Sequence, residues 1–194
     1  MTRRMLLLSI LSVSFALSAT GPEIFTTNRM TAYRIHESHL NDIYTLTSDP
    51  QVGESLHHIF SLDETKDHLK SSLEHWSKCG FGSYVFYDTQ TGNFIGMIEL
   101  ILCPEDLSWI SINKGEVLLN YVIMPKYWNS DLATEMTQAT IKRCFEQLSV
   151  EGIVAFTDAS NIASQRVLEK TGFTFIGIGS GNRIVLYRLA KKAV

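Results

Sequence analysis

The residues best suited to chemistry lie at 115–135, where a predicted strand runs into a predicted helix. The stretch 116–123 is apolar and rich in β-branched residues, which predicts a buried strand. Asn129 to Asp131 favour a turn, with Asp131 as the helix N-cap, and helical spacing of apolar residues begins at Ala133. A helix N-terminus presents unpaired N–H groups and a positive dipole end, which suits a phosphate. Strand-turn-helix units also build cores without binding anything, so these residues alone leave both interpretations open.

The histidines provide no recognisable metal site. His36 and His39 are three residues apart and His57 and His58 are adjacent, but the spacing places no third ligand beside either pair. The sequence also contains no GxSxG motif and no phosphate-loop lysine. We therefore expect neither a bound metal nor a hydrolase of the Ser-His-Asp type.

Length and composition indicate one ordinary globular domain. The chain has 194 residues, of which 45% are hydrophobic and 19% charged, and its net charge is −3. Lys and Arg form no stripe, so nucleic-acid binding is not expected. Cys79, Cys103 and Cys144 are odd in number and widely spaced, which predicts reduced, mostly buried thiols.

The N-terminal segment, residues 1–23, differs from the rest of the chain. Two arginines precede an uncharged apolar run from Met5 to Ala19, followed by Gly-Pro. This layout is typical of a secretory signal peptide, and the run is short for a membrane span, which needs about 20 residues. Export or membrane anchoring, an apolar helix docked on the domain, and a mis-assigned start remain alternatives. The domain itself is predicted at 24–190.

Apolar periodicity and turn residues predict the order β-α-α-β-β-β-α-β-α-β-β. Asp49-Pro50 is expected to end the first helix, and Ser61 with Glu64 to form a capping box at the start of the second. Ser160 or Asn161 is expected to cap the last helix and Gly172 to end it. The predicted elements are strands at 29–35, 83–88, 93–102, 116–123, 152–157, 173–177 and 183–189, and helices at 38–47, 61–78, 131–148 and 161–172.

Four stretches of the sequence resemble motifs of the GNAT N-acetyltransferases, in that family's order. In the family, a tyrosine and a proline lead into Trp-Gly-Lys-Gly-Tyr-Ala-Thr-Glu, whose loop surrounds the pyrophosphate of acetyl-CoA. The matching residues here are Tyr121, Pro125, Tyr127, Trp128, Ala133, Thr134 and Glu135. The other stretches are 48–52, 91–96 and 161–173. The resemblance spans about residues 24–190 and points to the branch with the ribosomal-protein acetyltransferases of the Rim type.

The resemblance implies an α/β fold with a single mixed, mostly antiparallel sheet flanked by helices. It implies acetyl-CoA as co-substrate, with the pantetheine arm between two splayed strands and the pyrophosphate in the loop. One backbone N–H at 122–124 would face the thioester oxygen. The implied cofactor-binding residues are Val122, Ile123, Met124, Asn129, Ser130, Asp131, Leu132, Ala133, Thr134 and Asn161.

Three residues of the loop depart from the family pattern. Asn129 and Asp131 stand where the family has glycines, and Ser130 where it usually has lysine or arginine. Side chains narrow the approach of backbone to phosphate, and the carboxylate of Asp131 repels an anion. We therefore expect a degenerate loop with cofactor binding weakened about a hundredfold, and less where water screens the charges.

Acetyl transfer to an amine has three requirements. The amine must lose a proton, the thioester oxygen must be polarised, and the departing thiolate must be reprotonated. The resemblance places Asn161 and Ser164 beside the pantetheine arm and sulfur, so Ser164 is a candidate proton donor. The alternative is that Asn161 only caps the helix and Ser164 fills its first turn. Glu116 is the best candidate base, because alternation places it on the strand face of Leu118 and Asn120. The alternative is a solvated carboxylate at a strand start.

Two functions remain open at this level. One is an acetyl-CoA-dependent N-acetyltransferase that acts on a protein N-terminus or a small amine, and it would work in the cytoplasm, where the acetyl-CoA pool is. The other is a non-catalytic GNAT-fold module that binds a partner or another ligand. Tyr121 and Trp128 either line the cleft or belong to the core. Variable loops at 52–60 and 103–114 are expected to set the acceptor.

Overall fold

The computed structural model describes residues 24–102, 113, 115–179, 181 and 183–191. Within these residues, eight strands form one sheet that is flanked by five α-helices. The strands are β1 (Ile24–Thr26), β2 (Met30–Arg34), β3 (Tyr84–Asp88), β4 (Phe94–Leu102), β5 (Glu116–Ile123), β6 (Gly152–Asp158), β7 (Thr174–Ile178) and β8 (Ile184–Ala190). The helices are α1 (Leu40–Thr47), α2 (Pro50–Leu56), α3 (Leu62–Cys79), α4 (Leu132–Gln147) and α5 (Ile162–Lys170). The signal-like segment 1–23 and most of the predicted loop 103–114 lie outside the described residues.

The sheet is mixed, as the sequence predicts. Its strand order is β1-β2-β3-β4-β5-β6-β8-β7, and β5 with β6 is the parallel pair among antiparallel neighbours. The predicted α/β fold class is therefore confirmed. The parallel pair is joined through α4, the crossover that parallel strands require.

Local signals read from the sequence account for several element ends. Ser61 caps α3, and Glu64 returns the bond to the backbone of Ser61, which confirms the capping box. Gly172 follows α5 with φ of 93°, the left-handed conformation that glycine adopts without a Cβ clash.

Two elements differ from the prediction. Asp49-Pro50 ends α1 but also begins α2, because Asp49 accepts bonds from the N–H groups of Gln51 and Val52 while proline suits the first helical turn. Much of the expected loop at 52–60 is therefore helical. The sequence reading also missed β1, a three-residue edge strand paired with β2.

The helices lie on both faces of the sheet. His68 of α3 bonds to Glu99, whose direct cross-strand partner is Asn120, so Asn120 shares the α3 face. The next residue, Tyr121, bonds to Ser164 of α5. Because successive strand residues point to opposite faces, α3 and α5 cover opposite sides of the sheet. In the part of the chain that the structure describes, each helix is too short or too polar to span a bilayer.

Candidate active site

A wedge-shaped gap opens between β5 and β6 at their carboxyl ends. The two strands pair at three positions, from Glu116 with Gly152 to Leu118 with Val154. β5 then continues to Ile123 and β6 to Asp158 without further pairing to each other. The backbone of both strands along the gap is therefore available to an extended ligand, as a missing strand would be.

Alternation along β5 decides which backbone groups face the gap. The N–H of Met124 donates to the carbonyl of Ile95, 2.8 Å away on the β4 side. In an antiparallel ladder the residue two before it, Val122, faces β4 as well, whereas Ile123 and Tyr121 face away. Of the predicted residues Val122, Ile123 and Met124, only Ile123 presents its N–H to the gap. Its carbonyl accepts the indole N–H of Trp128 at 2.9 Å.

The loop between β5 and α4 has the backbone of a glycine loop without the glycines. Asn129 and Asp131 have φ of 58° and 60°, in the left-handed region that favours glycine. Asn and Asp are the non-glycine residues that tolerate this region best. The hydroxyl of Ser130 donates to the carbonyl of Tyr127 within the same loop. Asn129 and Asp131 thus occupy positions where the backbone conformation itself favours glycine.

The predicted side-chain cap of α4 by Asp131 is wrong. Asp131 occupies the N-cap position but makes no side-chain bond to the helix. A capping side chain requires an extended backbone at the N-cap, and φ of 60° turns this side chain away. Its carboxylate instead accepts a bond from Nζ of Lys170 at 2.7 Å. Lys170 lowers the pKa of Asp131 and places a positive charge beside the negative one.

The first turn of α4 follows the loop at the end of β5, and its backbone N–H groups are not used by a cap. The first helical bond runs from the N–H of Glu135 to the carbonyl of Asp131. The N–H groups of Leu132, Ala133 and Thr134 precede that bond, so they have no partner within the helix. With the positive dipole end of a 16-residue helix, these donors have the chemistry that suits an anion.

Arg29 fixes the loop from the opposite side. Its Nη1 donates to the carbonyl of Ser130 at 2.9 Å, and its Nε and backbone N–H bond to the carboxylate of Glu135. Burial disfavours the charged carboxylate, but bonds from Thr27 and Arg29 outweigh burial and lower the pKa of Glu135. Sequence reasoning singled out neither Arg29 nor Lys170, because each lies far along the chain from the loop.

The wall of the gap on the α5 side carries Ser164. The hydroxyl of Tyr121 donates to Oγ of Ser164 at 3.0 Å, and burial raises the pKa of Tyr121. Asn161 caps α5, its Oδ1 accepting the N–H of Ser164 at 3.0 Å. The capping alternative for Asn161 therefore describes its observed contact, while Ser164 is joined to a tyrosine that crosses from β5.

Glu116 lies apart from this constellation. It is 7% exposed, and its carboxylate is 2.8 Å from Nε of Arg188 on β8 and accepts the N–H of Asn113 at 2.7 Å. It is seven residues before Ile123, about 23 Å along a strand. The structure does not bring Glu116 together with Ser164, and its contacts are those of a buried ion pair that links β5 to β8.

The other side of the gap is bounded by residues that sequence reasoning did not assign. His57, which follows α2 with φ of 56°, bonds through Nε2 to Asp158 at the end of β6, 3.0 Å away. Bonds from Ser160 and from His57 lower the pKa of Asp158. Among the described residues, no group of three or more His, Cys, Asp or Glu is placed to hold a metal ion.

Comparisons with known proteins agree with this architecture. The family model of the acetyltransferase (GNAT) domain matches residues 29–174. The chain therefore belongs to the GNAT acetyltransferase family.

Solved structures of GNAT enzymes share the fold at low sequence identity. An acetyltransferase from Agrobacterium tumefaciens superposes with a TM-score of 0.73 at 20% identity, covering 98% of this chain and 100% of that one. The ribosomal L7/L12 α-N-protein acetyltransferase RimL, in complex with coenzyme A, gives 0.70 at 16% identity, with 87% and 98% covered. A spermidine N-acetyltransferase from Vibrio cholerae, in complex with coenzyme A and spermine, gives 0.64 at 18% identity, with 82% and 93% covered. At these identities the likeness shows the fold alone.

Proposed function

We propose that this protein is an acetyl-CoA-dependent N-acetyltransferase that acts on the primary amine of a protein N-terminus or of a small molecule. The observation that carries the proposal is the uncapped start of α4 at the mouth of the gap between β5 and β6. A helix N-terminus suits a diphosphate, and a strand gap suits an extended amide chain. Coenzyme A contains both groups in one molecule.

Each part of the gap has a defined role in this proposal. The N–H groups of residues 132–134 bind the diphosphate, and Asn129 to Asp131 line it. The backbone N–H of Ile123 faces the pantetheine arm or the thioester oxygen. Bound acetyl-CoA supplies an activated acetyl group as a thioester.

Ser164 and Tyr121 supply the proton for the departing thiolate. Tyr121 donates to Ser164, so the Ser164 hydroxyl proton is free to point into the gap. Transfer from Ser164 to the sulfur and from Tyr121 to Ser164 moves one proton along a prepared path. Asn161 holds the first turn of α5 and thereby orients Ser164. Glu116 has no part in this step, because its carboxylate is occupied by Arg188 and Asn113.

Two classes of acceptor amine are supported by GNAT enzymes of similar fold. The RimL structure supports a protein α-amine of the Rim-type branch, and the spermidine acetyltransferase supports a polyamine. Dependence on acetyl-CoA favours a cytoplasmic location.

Calorimetry with coenzyme A, followed by acetylation assays with acetyl-CoA, tests the proposal. The two probe amines are a peptide with a free N-terminal serine and spermidine, and mass spectrometry detects a gain of one acetyl group. We expect binding and acetylation of one probe. Absence of binding up to millimolar coenzyme A would leave the non-catalytic module as the function.

A further inference from the structure

A histidine and a glutamate that the proposed proton donor does not use lie on the opposite face of the sheet from Ser164. Nε2 of His68, on α3, is 2.9 Å from Oε1 of Glu99, on β4. The hydroxyl of Ser83 donates to the same carboxylate oxygen at 3.1 Å. The His68 side chain is 31% exposed and the Glu99 side chain 15%, so the pair is largely covered and still reachable.

The pair lies beside the wide part of the gap. Glu99 is the direct cross-strand partner of Asn120, and partners of this kind project from the same face. Asn120 is two residues beyond Leu118, the last residue of β5 that pairs with β6. Adjacent strands are about 4.8 Å apart, so the backbone of Glu99 lies one strand away from the edge of the gap.

The segment that follows α2 packs beside His68 on this face. The rings of Phe60 and His68 are 6.3 Å apart, and those of His58 and Phe60 are 4.8 Å apart. His57 continues the segment to Asp158 at the end of β6. An amine that enters here reaches the gap from the side opposite Ser164.

The bond to Glu99 fixes the tautomer of His68. A carboxylate accepts the Nε2 proton, which leaves the lone pair of the neutral ring on Nδ1. Among the described residues, Nδ1 of His68 has no hydrogen-bond partner. This is the arrangement of an imidazole base that is oriented by a third group.

We propose that His68 is the general base that deprotonates the acceptor amine, and that Glu99 is its positioning residue. This inference rests on the proposed function. The amine nitrogen forms a bond to the acetyl carbon, the carbon–sulfur bond breaks, and its electron pair leaves with sulfur. Nδ1 of His68 takes the proton that nitrogen gives up, and the Ser164–Tyr121 pair gives one proton to the thiolate. The products are one amide and one thiol, so protons balance.

The charges around His68 agree with this role. The bond to Glu99 is the largest influence on the pKa of His68 and raises it, against the opposing effect of burial. Besides Glu99 on β4, the neighbouring titratable groups are Glu64, one turn earlier on α3, and His58, which is bonded to Glu64. A base must be neutral to act, so activity is expected to rise with pH through the raised pKa of His68.

The first test compares His68→Gln with His75→Gln on the same helix. We expect His68→Gln to lower kcat/KM for the acetylated probe amine about a hundredfold, the contribution typical of a general base. Affinity for coenzyme A by calorimetry should stay unchanged. His75 bonds to the backbone of Phe81 and Leu102 at the other end of α3, so His75→Gln should retain the wild-type rate.

The second test uses Glu99→Gln, which keeps the shape of the side chain and removes its charge. The acidic limb of the kcat/KM profile should move to lower pH, and the His68 imidazole signal in NMR of the free protein should titrate at lower pH than in wild type. If wild type acetylates a probe amine and His68→Gln does so with the same rate and pH profile, the assignment of His68 is overturned and the proposed function stands. Failure of wild type to bind coenzyme A or to acetylate either probe would overturn both the assignment and the proposed function.

Discussion

The starts of α3 and α4 contain similar capping residues but use them in opposite ways. Ser61 has φ of −70° and ψ of 165°, and its side chain bonds to the N–H of Glu64. Asp131 has φ of 60° and ψ of 8°, and its side chain leaves the helix for Lys170. The side chain of Ser61 therefore binds a donor in the first turn of α3, whereas the first turn of α4 receives no such bond from Asp131.

This difference shows that a capping residue is defined by its backbone and not only by its type. An extended N-cap lets a short side chain fold back over the first turn, and a left-handed one does not. A left-handed residue costs conformational energy unless it is glycine, and such strain is common at ligand sites. Three non-glycine residues of the described chain have positive φ, and two of them, Asn129 and Asp131, are in this loop.

Among changes at the two helix starts, the largest expected effect comes from reversing the charge beside α4. Lys170→Glu removes the cation that pairs with Asp131 and adds a second carboxylate beside that of Asp131, near the proposed position of the diphosphate. We expect affinity for coenzyme A to fall about thirtyfold at low ionic strength, and less at high salt, measured by calorimetry. Lys78→Glu is the matched control, since Lys78 lies in the last turn of α3 and forms an exposed pair with Glu74. Equal affinities in the two variants would mean that the diphosphate is not at α4.

A second change should make the loop resemble its glycine-containing relatives. The double substitution Asn129→Gly and Asp131→Gly permits positive φ without strain and frees Lys170 to face the ligand. Coenzyme A should bind at least about tenfold more tightly. Asn129→Gly alone is the control, because it relieves positive φ but keeps the Asp131 carboxylate, and it should give a smaller gain in affinity. No gain in the double variant would refute the view that the Asp131 carboxylate opposes binding.

The smallest expected effect is on the free energy of unfolding, and it differs between the caps of α3 and α4. Ser61→Ala removes a used cap and should lower the free energy of unfolding by about 1 kcal/mol in denaturant titration, with coenzyme A affinity unchanged. Asp131→Gly removes no cap and fits the positive φ of this position without strain, so the midpoint of unfolding should not fall below the wild-type value. A comparable loss of stability in both variants would show that Asp131 caps α4 in solution.

The fold was readable from the sequence because its signals are local. Alternating apolar residues, the capping box at Ser61 and the glycine at 172 each specify one element. β1 was not predicted because three residues are too few to show an apolar periodicity. α2 was not predicted because Pro50, which ends one helix, also begins the next. The candidate site was only partly readable. Its loop and Ser164 follow from short motifs, but Arg29, Lys170, His68 and Glu99 meet across the fold, and no spacing along the chain indicates those contacts.

The most direct measurement of the central claim is an NMR titration of the backbone amides with coenzyme A. We predict the largest shifts at Leu132, Ala133 and Thr134, whose N–H groups would receive the diphosphate, and no shifts at the capped residues 62–64 of α3. Saturable binding that leaves the amides of 132–134 unmoved would contradict it.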